Sequence, residues 1–282
     1  MNDRPLSFPA AGIEKPYAEV IGDPIGHSKS PLIHNFWLSA LGMDAEYRAC
    51  HVRPEALSAY FESRRADPYW RGCNATIPHK EALLSLVEDR GNLRTTIGAA
   101  NTVLRADDGA LIATNTDAAG FSGPILEMDW DGAHAMVIGA GGAARAILFA
   151  LSRLGFERVT IANRNVLKAG ALLSAFGMKG DAVPLSAPVP PVDLLVNASA
   201  LGMVGQPPLD IDLSPLPEDA VVYDIVYAPL ETPLLAQARA RDLATVDGLE
   251  MLIGQAALAF EFFFGKAPPR ERDEELRGLL TQ

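Results

Sequence analysis

The sequence predicts an α/β protein built in two parts, and three observations carry that reading. Strand-like and helix-like segments alternate along the chain, the pattern of a mostly parallel sheet covered by helices. From about residue 135 the alternation becomes a clean strand–helix–strand rhythm. The length, 282 residues, is too great for one small core and suits one large domain or two medium ones.

In the first part AEVIG (18–22) reads as a strand, followed by a helix over about 31–41 and a strand EYRACHV (46–52). A helix follows Pro54, then a short strand GCNATI (72–77), then a helix over 78–88. The segment IGAANTVLRADDGALIATNTD (97–117) reads as strands joined by a turn at Asp107-Asp108-Gly109, which adds antiparallel character. In the second part AMVIGA (135–140) is a buried strand, GGAARAILFALSRLG a helix ended by Gly155, and RVTIANR the next strand. DLLVNAS and AVVYDIVY are two further strands. TPLLAQARARDLA is a helix with Thr232 as N-cap and Pro233 in the first turn, where the missing N–H costs nothing. The last long helix, 249–264, is apolar almost all round, which places it between layers where two domains meet.

Composition narrows the function classes. A net charge of -11 excludes a general nucleic-acid surface, and any anionic ligand must be held by local donors. No apolar run reaches the roughly 20 residues of a membrane span. The opening MNDRPLSFPAAGIEKP has no signal-peptide core and is expected to be a loose leader on a cytoplasmic protein. Cys50 and Cys73 have neither metal spacing nor a disulfide framework, which fits a reducing compartment. His27, His34, His51, His79 and His134 lack metal spacing too and are assigned structural or surface roles, so no metal is expected.

VIGAGGAARAI leaves a strand and opens a helix, carrying Gly139, Gly141 and Gly142 with Ala143 and Ala144. The third glycine of G-x-G-x-x-G is missing, yet the setting is that of a dinucleotide-binding turn. The glycines allow a tight turn, and the helix N-terminus offers N–H groups and a positive dipole end to a pyrophosphate. A glycine turn made only for close packing would fit the same residues. The next strand ends Asn163-Arg164-Asn165, with Lys168 one helical turn on and no carboxylate. An arginine there grips a 2′-phosphate that a carboxylate would repel, favouring NADP over NAD.

Four segments place polar side chains where strands give way to turns: GHSKSP, GCNATIPHK, GAANTV and NTDAAG. They offer Ser28, Ser30, Thr76, Asn101, Thr116, Lys80 and Asp117, a set suited to a small polyhydroxylated acid. Each has a plainer reading as well. Ser30 before Pro31 and Asp117 before AAGF are good N-caps. Lys80 also reads as a solvated first-turn residue, although a cation there opposes the helix dipole.

GDPIGHSKSPLIHN, GCNATIPHK, GAANTV, NTDAAGF, VIGAGGAARA, NRN, DLLVNASALGM, VYDIVYAPLETPLL and GLEMLIGQAALAF occur in this order. From about residue 17 to 265 the series closely resembles the shikimate dehydrogenases, within the shikimate/quinate dehydrogenase family. The resemblance implies an N-terminal mixed α/β substrate domain and a Rossmann-like dinucleotide-binding domain with a cleft between them. Residues 1–117 plus 248–282 would form the substrate domain and 118–247 the NADP-binding domain. It implies reversible NADPH-dependent reduction of 3-dehydroshikimate to shikimate, with Lys80 and Asp117 as the catalytic pair. Ser28, Ser30, Thr76, Asn101, Tyr227 and Gln255 would bind the substrate. Gly139, Ala140, Gly141, Gly142, Ala143, Asn163, Arg164, Lys168 and Met251 would bind NADP. The expected partner is the small-molecule substrate, with no nucleic acid and no membrane, in a monomer or homodimer. Ala75, Asn165 and Glu250 stand where the family commonly has valine, threonine and glycine. A quinate-using enzyme with NAD or dual cofactor use, an aminoshikimate-type enzyme and an idle nucleotide-binding sensor are the alternative readings.

Overall fold

The computed structural model describes residues 8–281 and divides the chain into two compact units. The first runs through Thr116 and resumes at Ala256; the second is Asp117–Gln255.

The first unit holds β1 (Tyr17–Gly22), α1 (Ser30–Ala40), β2 (Glu46–His51), α2 (Leu57–Arg65), β3 (Trp70–Ala75) and α3 (His79–Ala82). It continues with α4 (Leu93–Thr96), β4 (Thr102–Arg105) and β5 (Leu111–Thr114). The second unit contains α5 (Asp117–Ser122), β6 (His134–Ile138), α6 (Gly142–Leu154), β7 (Arg158–Ala162) and α7 (Val166–Phe176). It adds β8 (Lys179–Val183), β9 (Leu194–Asn197), β10 (Val221–Asp224), α8 (Pro233–Arg239) and β11 (Ala244–Val246). The chain then runs through α9 (Gly248–Phe264), which the unit boundary divides, and α10 (Asp273–Leu280).

The first sheet has the order β2-β1-β3-β4-β5, with β1, β2 and β3 parallel and β4 and β5 antiparallel. Every residue of β1 is buried, because helices cover both faces of this central strand. That buries Glu19. Arg64 meets it with Nε–Oε2 at 2.8 Å and Nη2–Oε1 at 3.1 Å, Arg48 Nη2 donates to Oε1 at 2.9 Å, and the Tyr60 hydroxyl donates to Oε2 at 2.8 Å. Removing one partner of so enclosed a pair costs about 3–5 kcal/mol, since the other charge is left uncompensated.

The opposite face of the same sheet is aromatic. His34 on α1 stacks on Tyr47 at 3.9 Å, and Trp37, Phe260 and Phe263 close around them. Close packing sets one glycine here: Gly72 has φ 157° and a Cβ on it would lie 2.3 Å from Val103 O.

The second sheet is all parallel, in the order β11-β10-β9-β6-β7-β8. Counted from its own first strand this is 3-2-1-4-5-6, the doubly wound arrangement of dinucleotide-binding domains. Two apolar clusters cover its faces, one with Ile147, Leu151 and Leu172, the other with Leu213, Leu234 and Leu235. Gly155 (φ 99°) ends α6, and Thr232 caps α8 by accepting the Leu235 N–H, both as expected.

Three expectations are corrected. The helix expected over 78–88 ends at Ala82, with a 3₁₀ turn over Leu83–Ser85. The chain turns away because Glu88 pairs with β5: its N–H donates to Leu111 O and its carbonyl accepts from Ala113. Strands β8 and β11 were not expected, because one is an exposed edge without alternation and the other has three residues. The opening segment is not wholly loose: Arg64 donates to Pro9 O at 3.0 Å and lies over the Phe8 ring. Residues 1–7 of that segment lie outside the described residues.

Candidate active site

In each unit the polar segments fall where the strand order reverses, outside the carboxyl ends of parallel strands. In the first sheet β1 feeds α1 and β2 on one side, while β3 pairs on the other. The loops leaving β1 and β3 are laced together. The Thr76 N–H donates to Ile21 O at 2.9 Å and the Asp23 N–H to Ile77 O at 3.1 Å. The approach leaves no room for a side chain on Gly22, whose Cβ would sit 2.6 Å from Thr76 Cγ2.

The Asn101 loop joins this edge through its backbone. Ala75 N–H donates to Asn101 O at 2.7 Å, and Ala100 N–H to Lys80 O at 2.8 Å. The Asn101 side chain then ties down Thr116: its Oδ1 accepts the Thr116 N–H at 2.8 Å and its Nδ2 donates to Thr116 Oγ1 at 2.9 Å. Ser28, Ser30, Thr76, Lys80 and Asn101 thus share one sheet edge, with Lys80 half-buried and Asn101 buried.

Ser30 is not the N-cap expected of it. The cap position is Lys29 in helical conformation, and Ser28 Oγ accepts the Ser30 N–H at 3.3 Å instead. The Lys29 ammonium donates to the Leu280 carbonyl at the end of α10, which anchors the loop from behind.

In the second unit Asp117 is the first residue of α5 and buried. Its helix meets α9 through glycines: a Cβ on Gly120 would lie 2.7 Å from Gln255 N and 2.8 Å from Met251 O. That approach brings the helix of Asp117 against the turn of Met251 and Gln255. Gln255 Nε2 donates to Leu252 O at 3.0 Å. Tyr227 lies just past β10, half-buried, and burial pushes its phenol pKa up.

The glycine turn separates two reasons for glycine. Gly139 has φ 112°, and a Cβ there would lie 2.8 Å from Ala198 O; backbone conformation and packing both require glycine. Gly141 is extended (φ -94°, ψ -169°) and nothing lies within 4 Å of a Cβ built on it. No packing demand explains that glycine. It precedes α6, whose N-terminus has no side-chain cap. Ala140 is buried beneath the turn, and Gly142 and Ala143 open the helix.

Arg164 is exposed just past β7. Asn165 caps α7 by accepting the Lys168 N–H at 3.1 Å, and Asn163 Nδ2 donates to Asn165 O at 2.9 Å. The family's threonine would serve equally as a cap, so asparagine at 165 keeps the local geometry. Across the strand-order reversal a second polar cluster holds the loop after β9. Asn197 Nδ2 donates to Asp224 Oδ1 at 2.9 Å, Thr232 Oγ1 donates to Asp224 Oδ2 at 2.7 Å, and Ser199 Oγ donates to Asn197 Oδ1 at 2.7 Å. Burial pushes the Asp224 carboxyl pKa up. These residues stand at the ends of strands read in the sequence simply as strands; polar groups at two neighbouring strand ends were the available signal.

A doubly wound parallel sheet with a glycine turn opening α6 at its strand-order reversal has the architecture of a dinucleotide-binding protein. Comparisons with known proteins narrow the class. Residues 20–103 match the shikimate dehydrogenase substrate binding domain, 124–198 the shikimate / quinate 5-dehydrogenase model, and 248–276 the shikimate 5′-dehydrogenase C-terminal domain. The chain is 66% identical over 276 residues to the shikimate dehydrogenase (NADP(+)) of Sphingopyxis alaskensis, covering 98% of this chain and 100% of that protein. It is 47% identical to that of Rhodopseudomonas palustris, covering 93% and 94%. Among solved structures, shikimate 5-dehydrogenase from Thermus thermophilus in complex with NADP(H) and shikimate matches with a TM-score of 0.80 at 38% identity, covering 94% of this chain and 99% of that one. The chain belongs to the shikimate dehydrogenase family.

Proposed function

We propose that the protein reduces 3-dehydroshikimate to shikimate reversibly with NADPH, and that the edge described above holds the substrate. The observation that carries this is the chain-wide 66% identity to a shikimate dehydrogenase (NADP(+)), joined to a glycine at 141 that packing does not require. Domain roles follow the two units: the first for substrate, the second for NADP. Gly139 to Ala143, Asn163, Arg164, Lys168 and Met251 would hold the cofactor, with the α6 N-terminus facing the pyrophosphate and Arg164 the 2′-phosphate. NADP, when bound, supplies or accepts the hydride.

The chain's own groups handle the proton and the orientation. In reduction the Lys80 ammonium gives a proton to the carbonyl oxygen of the substrate as it becomes a hydroxyl; in oxidation neutral Lys80 takes it back. Asp117 accepts a hydrogen bond from a neighbouring substrate hydroxyl and so fixes the ring. Ser28 and Ser30 bind the substrate carboxylate by neutral hydrogen bonds, with Thr76 and Asn101 on the same edge; Tyr227 and Gln255 take the substrate-binding roles that the family resemblance implies. The same reading includes a cytoplasmic setting, a monomer or homodimer, and no nucleic-acid or membrane partner. Its supports are two free cysteines, a charge of -11, and no helix among the described residues long and apolar enough to cross a membrane.

A steady-state assay of the purified protein with shikimate and quinate, each against NADP and NAD, tests the proposal. Preferred turnover of shikimate with NADP is expected. Preference for quinate or for NAD would overturn it in that respect, and no turnover with any pair would overturn it entirely.

A further inference from the structure

We infer that Tyr47, remote in sequence from every polar motif, is a positioning residue that orients the side-chain amide of Asn101 through Asn74 and Thr102. The inference deepens the proposed function and rests on its assignment of Asn101 to the substrate site.

Strand pairing builds the chain of contacts. Tyr47 sits opposite Ala18 and Asn74 opposite Val20, so both lie on one face across β1. Thr102 is directly opposite Asn74 in the antiparallel pair of β3 and β4. The Tyr47 hydroxyl donates to Asn74 Oδ1 at 2.6 Å; Asn74 Nδ2 donates to Thr102 Oγ1 at 2.9 Å; Thr102 Oγ1 donates to Asn101 Oδ1 at 3.0 Å. All four residues are buried.

Backbone groups at two points fix the direction of donation. Asn74 Nδ2 also reaches Asn101 O at 3.4 Å, and a carbonyl only accepts, so the amide nitrogen of Asn74 must face that way. Its Oδ1 is then turned to Tyr47, whose phenol must donate. At the far end Asn101 Oδ1 receives the Thr116 N–H, which only donates. Asn101 Oδ1 is thus committed to Thr116 and Thr102, and Nδ2 already donates to Thr116 Oγ1 at 2.9 Å. Any side-chain contact from Asn101 to a ligand is therefore a donation from the amide nitrogen to an acceptor oxygen.

Tyr47 is itself held without a competing polar partner. The His34 ring lies parallel to it within 3°, and neither His34 nitrogen has a hydrogen-bond partner among the described residues. Burial pushes the Tyr47 pKa well up, which keeps the phenol protonated. Removing its hydroxyl leaves Asn74 Oδ1 buried and unsatisfied, and the chain through Thr102 to Asn101 loses its first donor, leaving the bonds to backbone groups to hold the amides more loosely.

Two variants test this, Tyr47→Phe and Thr102→Val, because they break the relay at different places. Each should raise KM for shikimate about 5- to 10-fold, the worth of one neutral hydrogen bond, with KM for NADP unchanged. The double variant should do no more than either single one. In ¹⁵N-labelled protein without substrate, the Asn101 side-chain amide signals should shift in both variants, as the hydrogen bond from Thr102 to Asn101 Oδ1 is weakened or lost while the bonds to Thr116 remain. Unchanged Asn101 signals, or additive effects, or equal rises in both KM values, would overturn the inference. A wild-type protein inactive on shikimate would overturn the functional reading instead, while the amide signals would still decide the role of Tyr47.

Discussion

Gly141→Ala is the sharpest probe of the cofactor turn, because structure and function predict opposite signs. The backbone at 141 is extended, a conformation alanine adopts freely, and the added methyl meets nothing within 4 Å. Such a Gly→Ala change stabilises by about 0.4–1 kcal/mol through the unfolded chain's lost entropy. For a protein of this size that is a rise of roughly 1–3 °C in Tm. NADP should suffer all the same. A methyl standing where the pyrophosphate must approach removes one or two charged hydrogen bonds, each about 1.5–3 kcal/mol, and weakens binding at least tenfold. Calorimetric unfolding and titration calorimetry with NADP measure the two quantities on one sample. Gly139→Ala is the control, since its φ of 112° and the 2.8 Å approach of Ala198 O predict loss of stability outright. Undiminished NADP affinity in Gly141→Ala would refute the ligand argument, and a lowered Tm would refute the packing argument.

Three further outcomes are expected. Lys80→Ala should lower kcat by about 10²- to 10⁴-fold with little change in KM, because the role proposed for it is proton transfer; steady-state kinetics decides, and an effect on KM alone would make it a binding residue. Arg164→Ala should weaken NADP about tenfold or more and leave NAD nearly unchanged, as direct titration of both cofactors would read. Burial pulls the His34 pKa down to about 3, so the unfolded state binds the extra proton between about pH 6.5 and 3 and stability falls as pH falls through that window. His34→Phe keeps the stack on Tyr47 and should flatten the acid loss measured by urea unfolding by up to about 1.4 kcal/mol per pH unit; equal slopes would refute the burial argument.

The motif segments were legible because each is local. A glycine turn after a strand, an arginine at the next strand end and Pro233 after Thr232 are written within a few residues. Asn101, Thr76 and Lys80 stood out as polar groups in turn segments, and the structure places their loops on one sheet edge through backbone hydrogen bonds. Ser30 shows the limit: its sequence context says N-cap, yet the backbone at Lys29 begins the helix one residue early and passes the capping bond to Ser28.

The sequence by itself determined the alternation of strands and helices, the caps at Gly155 and Thr232, and the dinucleotide character of 135–165. Those features depend on periodicity and on neighbours a turn apart. Only the tertiary structure decided that Glu19 is an ion-pair centre inside a buried strand and that Tyr47 stands behind Asn101. The physical reason is pairing. Tyr47, Asn74 and Thr102 come from three strands, and only the register of β1, β2, β3 and β4 puts their side chains on one face within hydrogen-bond reach.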